Sequence, residues 1–270
     1  MKFSICNEMF EGWPFERVVR YVSELGYDGV EVAPFTVSHD VRSVSPRERR
    51  EMREVAECYG VKVVGTHWLL VTPPGLHVTH PDESVRKRTL RYLVALVDFT
   101  ADIGGSVMVF GSPKQRSILP GVSRERAWEW AVELFREASR AAEDRGVTIC
   151  MEPLSRDQTN FINTHEEAIR LIEDVGSPSF RLILDVRSMF DEGRPHDEVI
   201  RESGEYLAHF HANDDNGLGP GFGRADYGRI ARALRDIGYR GYASVEVFDF
   251  TLGAKYIAER SLANLIRYFG

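Results

Sequence analysis

Eight short, β-branched apolar runs alternate with eight longer amphipathic ones along the whole chain. This alternation restricts the fold more than any other feature. The strand-like runs fall near Lys2–Cys6, Gly29–Val32, Lys62–Thr66, Ser106–Phe110, Thr148–Met151, Leu182–Leu184, Leu207–Phe210 and Tyr242–Val245. Helical patterns fill the intervals at Pro14–Leu25, Pro46–Tyr59, Ser84–Ile103, Arg124–Arg145, Thr164–Val175, His196–Ser203, Tyr227–Ile237 and Leu252–Tyr268. Apolar strands separated by helices read as a parallel sheet, because each crossover helix covers a sheet face. Eight such units in 270 residues, with no linker between them and a helix at the end, predict an α/β fold. The specific expectation is a single-domain (β/α)8 TIM barrel over residues 1–270. An open, doubly wound sheet is the alternative and fits the closing helix less well.

The punctuation agrees with this spacing. Ser45-Pro46 and Ser123 mark helix starts, by a hydroxyl cap and by proline in the first turn. Thr164-His-Glu-Glu167 has the capping-box spacing. Gly26, Gly60, Gly104, Gly146 and Gly238 each follow a helical run and precede a strand. The segments after Thr66, Phe110 and His211 are long, whereas the helix-to-strand connections are short. In a barrel the long segments lie at the C-terminal mouth, where active sites are built. A weak repeat relates Glu24-Leu-Gly-Tyr-Asp-Gly-Val-Glu-Val to Asp236-Ile-Gly-Tyr-Arg-Gly and the later Val245-Glu-Val, which makes Glu31 analogous to Glu246.

At the ends of four consecutive strand runs stand Glu152, Asp185, His211 and Glu246. Buried charges are costly unless they are paired or bind metal, so four at matching strand ends imply a common destination. A buried hydrogen-bond network is the bland reading of such a set. An oxygen-rich Glu/Asp/His/Glu set suits one hard or borderline divalent ion such as Mn, Mg, Co or Zn. The net charge of −7 argues against a dedicated nucleic-acid binder. Cys6, Cys58 and Cys150 are too few and too scattered for a disulfide framework, and Cys6 and Cys150 read as buried thiols. No apolar run reaches membrane-spanning length. Glu8 falls where a secretory leader has its apolar core, so a cytoplasmic location is expected.

Through Glu152-Pro, Leu184-Asp185, His211-x-Asn-Asp, Val245-Glu-Val and Gly26-Tyr-Asp-Gly-Val-Glu, the chain resembles the xylose isomerase-like barrel superfamily. That group holds sugar isomerases, ketose 3-epimerases, hydroxypyruvate isomerases and inosose-processing enzymes. The resemblance covers the whole chain; its motifs are specific for the superfamily and weak for the substrate. It implies that a metal held by Glu152, Asp185, His211 and Glu246 binds a sugar carbonyl and the adjacent hydroxyl. Glu152 and Glu246 would be the acid/base pair around an ene-diolate, with Asp185 and His211 as ligands only. Three positions depart from the ketose 3-epimerase pattern. Ser188 replaces a histidine, Gln158 replaces a glutamate, and Asn216-Gly-Leu-Gly-Pro-Gly stands where an arginine is usual. The resemblance implies that these positions hold substrate, so a standard free-ketohexose epimerase is not what the departures suggest.

Further mouth residues are candidates for substrate binding: His67 and Trp68 after the third strand, Lys114 and Arg116 after the fourth, and Arg156 with Asn160 after the fifth. Arg187, two residues beyond Asp185, is the candidate replacement for the missing contacts. Asn213 and Asp214 follow His211, one of them to orient the imidazole or touch substrate. Phe248 and Phe250 read equally as pocket wall or as packing, and Gly217–Gly223 as a flexible loop covering substrate. The partner expected is a small sugar or sugar derivative, with no nucleic acid and no membrane. Homo-oligomerisation is open, with Trp128, Trp130 and Ile266-Arg-Tyr-Phe as possible packing surfaces. A lyase, dehydratase or C-glycoside-cleaving enzyme is the competing function, since proton removal can end in elimination. An endonuclease IV-type repair enzyme is a weaker one, because the additional histidines it needs are missing.

Overall fold

The computed structural model describes residues 1–270. In chain order the elements are β1 (Lys2–Cys6), α1 (Phe15–Leu25), β2 (Gly29–Val32), α2 (Pro46–Cys58), β3 (Lys62–Thr66), α3 (Glu83–Asp102), β4 (Val107–Phe110) and α4 (Arg124–Asp144). There follow β5 (Thr148–Met151), α5 (His165–Val175), β6 (Phe180–Asp185), α6 (Val186–Met189), α7 (His196–Ser203), β7 (Leu207–Ala212), α8 (Tyr227–Asp236), β8 (Tyr242–Val245) and α9 (Ala254–Phe269). The strands close in sequence order, β1 to β8 and back to β1, with every pair parallel. This is the (β/α)8 barrel, with one added helical turn, α6, directly after β6.

Two strands are longer than their apolar runs suggest. The β6–β7 ladder continues to Asp185 opposite His211, so both polar residues lie within strands. Hydrophobicity alone hides them, because their side chains face a polar centre instead of the helices. Period-two alternation orders the barrel interior. Cys150, Ile183, His209 and Ser244 share the inward face with Glu152, Asp185, His211 and Glu246, which stand one layer nearer the mouth. The outward residues meet the helices: Phe110 packs edge-on against Phe135, which stacks on Phe180, both at 4.8 Å.

The caps explain where helices begin. Ser45 forms a full capping box with Glu48 on α2, and Ser123 caps α4 through Arg126 N; each such cap contributes about 1 kcal/mol. Thr164 supplies only half of the expected box. Its hydroxyl accepts from Glu167 N, but the Glu167 carboxylate instead accepts from Asn163 N and Arg124 Nη2. The five expected helix-ending glycines all adopt positive φ. Cys6 and Cys150 are buried free thiols, and no helix is long and apolar enough to cross a membrane. Trp128 and Trp130 are engaged within the chain: Trp128 donates to Asp174 and lies under Arg170, and Trp130 packs beneath Arg86 and Arg126.

Candidate metal centre and substrate cavity

Glu152, Asp185, His211 and Glu246 converge from β5, β6, β7 and β8, with one potential ligand atom of each within 4.8 Å of the others. All four are buried. Asp185 is placed twice over: its Oδ1 caps α6 by accepting from Ser188 N at 2.7 Å, and its Oδ2 accepts from Asn213 Nδ2. Gly111 lies against Glu152, and a methyl group there would collide with that carboxylate. Glu246 accepts from Trp68 Nε1 at 2.7 Å. Trp68 reaches it from a left-handed backbone (φ 53°), a conformation costing a non-glycine residue roughly 1 kcal/mol or more.

His211 lies between two carboxylates. Its Nδ1 faces Glu246 Oε2 at 3.0 Å and its Nε2 faces Glu31 Oε2 at 3.2 Å. Glu31 Oε1 also accepts from His209 Nε2 at 2.6 Å. Glu31 therefore touches the cluster through an imidazole, as its analogy with Glu246 hinted, but from within β2. His209 and Glu8 were missed in the sequence. His209 was discoverable, since it lies two residues before His211 and so on the same strand face. Glu8 carries no local signal; it is found only because its Oε2 meets His67 Nε2 at 2.6 Å.

Electrostatics separate the two glutamates. Burial lifts the Glu152 carboxyl well above the usual range, and the charges of Glu246 and Asp185 add to it. Burial also raises Asp185, with Glu246 reinforcing the shift. For Glu246 burial is outweighed by the His211 charge and hydrogen bond, by His67 and by the Trp68 N–H, so it is held low. Burial likewise opposes a charged His211, but Glu246 and Glu31 lift it well above the ordinary imidazole value. Three carboxylates around one imidazole, with Glu152 receiving no hydrogen bond, form a donor set that a divalent cation fits. Its hard oxygens and one nitrogen match the preferences of such ions.

Above this floor is a cavity of about 500 Å³ lined by Glu152, Glu246, Trp68, Lys114, Gln158, Arg187 and Phe248, among others. Trp68 and Phe248 also border a second cavity of about 1160 Å³ that runs over Glu8, Trp13, Phe35 and Phe250. Of the candidate substrate residues, Trp68, Lys114 and Arg187 line the smaller cavity.

The others have different tasks. Arg116 is buried and donates to the carbonyls of Glu152 and Ile162, at 2.7 and 3.0 Å, so it braces β5 and is not open to substrate. Arg156 pairs with Asp191 at 2.7 Å, outside the cavity lining. His67 is fully buried against Glu8. Asn213 orients Asp185, not the imidazole. Asp214 accepts from the backbone N–H groups of Gly221, Gly223 and Ala225, which ties the glycine-rich loop down. Asn264 on α9 holds Pro220 O in that loop as well. The loop therefore packs on α9, and none of its residues lines either cavity.

A closed (β/α)8 barrel with its acidic and imidazole groups gathered at the C-terminal ends of the strands defines a barrel of the enzyme type. Within that class, this chain belongs to the xylose isomerase-like TIM barrel family, whose model matches residues 19–268. It is 27% identical to D-psicose 3-epimerase of Ruminiclostridium cellulolyticum, covering 93% of this chain and 85% of the relative. It is 29% identical to D-psicose 3-epimerase of Agrobacterium fabrum, covering 88% and 81%. A crystal structure of D-psicose 3-epimerase in the presence of D-fructose superposes with TM-score 0.87 at 25% identity, covering all of both chains.

Proposed function

We propose that this chain is a divalent-metal-dependent sugar epimerase that inverts a carbon beside a carbonyl. The observation that carries this reading is the convergence of Glu152 and Glu246, from β5 and β8, on one buried cluster at the floor of a sugar-sized cavity. The similarity to two D-psicose 3-epimerases supports it. Glu152, Asp185, His211 and Glu246 would hold the ion. Bound there, it would polarise the substrate carbonyl and acidify the neighbouring C–H.

The protein's own groups supply the rest. One glutamate carboxylate accepts the proton from the carbon, and the other delivers a proton to the opposite face; reversal of roles returns the starting epimer. Trp68 anchors Glu246 for this transfer, and Gly111 leaves room for the Glu152 carboxylate. Asp185 and His211, held by Asn213 and Glu31, keep the floor in register.

The test is deuterium uptake from heavy water by protein loaded with Mn²⁺, followed by NMR over a panel of ketoses, keto acids and their phosphates. Exchange at one defined carbon, lost in Glu246→Gln with the fold retained, is expected. Full activity in Glu246→Gln removes the assigned role. Release of water or an aglycone without a stereoisomer product moves the chain to the elimination chemistry of a lyase.

A further inference from the structure

We propose that the substrate of this cavity carries an anionic oxygen group, a carboxylate or a phosphate, that docks between Lys114 and Arg187. For the ketose part of the substrate this rests on the epimerase reading; for the anion it rests on the cavity wall alone.

Three successive strand-to-helix segments supply that wall. Lys114 follows β4, Gln158 follows β5 and Arg187 follows β6, and all three line the cavity that has Glu152 and Glu246 at its floor. The Lys114 ammonium and the Arg187 guanidinium make no ion pair or hydrogen bond within the chain. This sets them apart from their neighbours: Arg116 is consumed by backbone carbonyls, Arg156 by Asp191 and Arg194 by Glu202.

In a chain with 41 acidic and 34 basic residues, carboxylate partners are abundant, yet these two cations face a concavity instead.

Arg187 is also held in place for a ligand. Its backbone N donates to Asn213 Oδ1 at 2.8 Å, the same amide that holds Asp185. Its guanidinium lies 5.1 Å from the centre of the Phe248 ring, which supports the planar fork while leaving its N–H donors free. One cavity lining thus carries both carboxylates and unpaired cations. Carboxylates at the floor suit a cation and a carbonyl, and cations on the wall suit an oxyanion. A substrate with a carbonyl at one end and an anion at the other is oriented by both.

The experiment compares D-fructose, D-fructose 6-phosphate and D-fructuronate as substrates of Mn²⁺-loaded protein, by deuterium exchange and by calorimetric binding. One anionic ketose is expected to exceed D-fructose in kcat/KM by about 100-fold, the range of two charge-assisted contacts. The advantage should shrink as ionic strength rises. In the double variant Lys114→Gln/Arg187→Gln, checked for folding by circular dichroism, it should collapse to within about tenfold. Which anion gains the advantage separates phosphate from carboxylate. Equal or better use of D-fructose, or an anion preference that persists in the double variant, overturns the proposal. Absence of exchange with all three ketoses counts against the epimerase reading only. Binding then decides the anion site, and no saturable binding of either anionic ketose overturns it.

Discussion

Glu31 on β2 holds His211 on β7 across the barrel, accepting from Nε2 at 3.2 Å and leaving Nδ1 on the side of Glu246. In a metal-loaded site this contact would decide which nitrogen serves as ligand, because a proton fixed on Nε2 leaves Nδ1 to the metal. The Glu31→Gln variant keeps the side-chain volume and weakens that control. Its affinity for Mn²⁺ or Co²⁺, measured by chelator competition, is expected to fall 10- to 100-fold. Unchanged affinity would show that the contact does not orient the ligand.

Metal binding at this cluster should release protons. Glu152 and Asp185 are raised above ordinary carboxyls and His211 above an ordinary imidazole, so without metal each retains its proton to higher pH than its free counterpart. Ligation requires their deprotonated forms. Apparent affinity should therefore fall as pH falls from neutral towards 5. The enthalpy of Mn²⁺ binding should also differ between buffers of different ionisation heat. Equal enthalpies in all buffers would contradict proton release.

Gly111→Ala tests how tightly the floor is packed. A methyl at this site meets the Glu152 carboxylate, so the carboxylate must swing out of the cluster. Exchange activity should drop by about 10²-fold or more, since misplacement by about 1 Å is enough for such a loss. The melting temperature should move little. Retained activity would mean that the Glu152 position is not critical.

His165 gives a pH dependence remote from the cavity. Its Nδ1 contacts Glu192 at 2.6 Å and its Nε2 contacts Glu202 at 3.1 Å. Burial opposes its charge, but the hydrogen bond and charge of Glu192 outweigh burial and raise it, and Glu202 falls to about 2, chiefly through Arg194. For a raised histidine, the stabilisation is complete below the unfolded value of about 6.5 and disappears as pH rises through the folded one. His165→Asn should lower Tm by about 2–4 °C at pH 6 and by less at pH 9. Equal losses at both pH values would assign the effect to packing.

How far the chain could be read before folding follows from the range of the forces involved. Alternation of apolar runs, caps at Ser45 and Ser123, and terminating glycines are local signals. They were enough to place eight strands, the mouth, and the four side chains that meet there. The half-formed box at Thr164 shows where local reading stops. Glu167 had a nonlocal competitor in Arg124, 43 residues away, and the spacing could not register it.

The cavity shows the same limit more sharply. Lys114 and Arg116 are two residues apart on one loop, yet one faces the cavity and the other is spent on carbonyls behind β5. Sequence by itself determined the barrel and the residue types at its strand ends, because burial periodicity and turn chemistry are written within a few residues. Only the tertiary structure decided which cations remain free, which imidazole nitrogen Glu31 holds and where the glycine-rich loop lies. Those outcomes depend on the partners that distant strands bring within hydrogen-bonding reach.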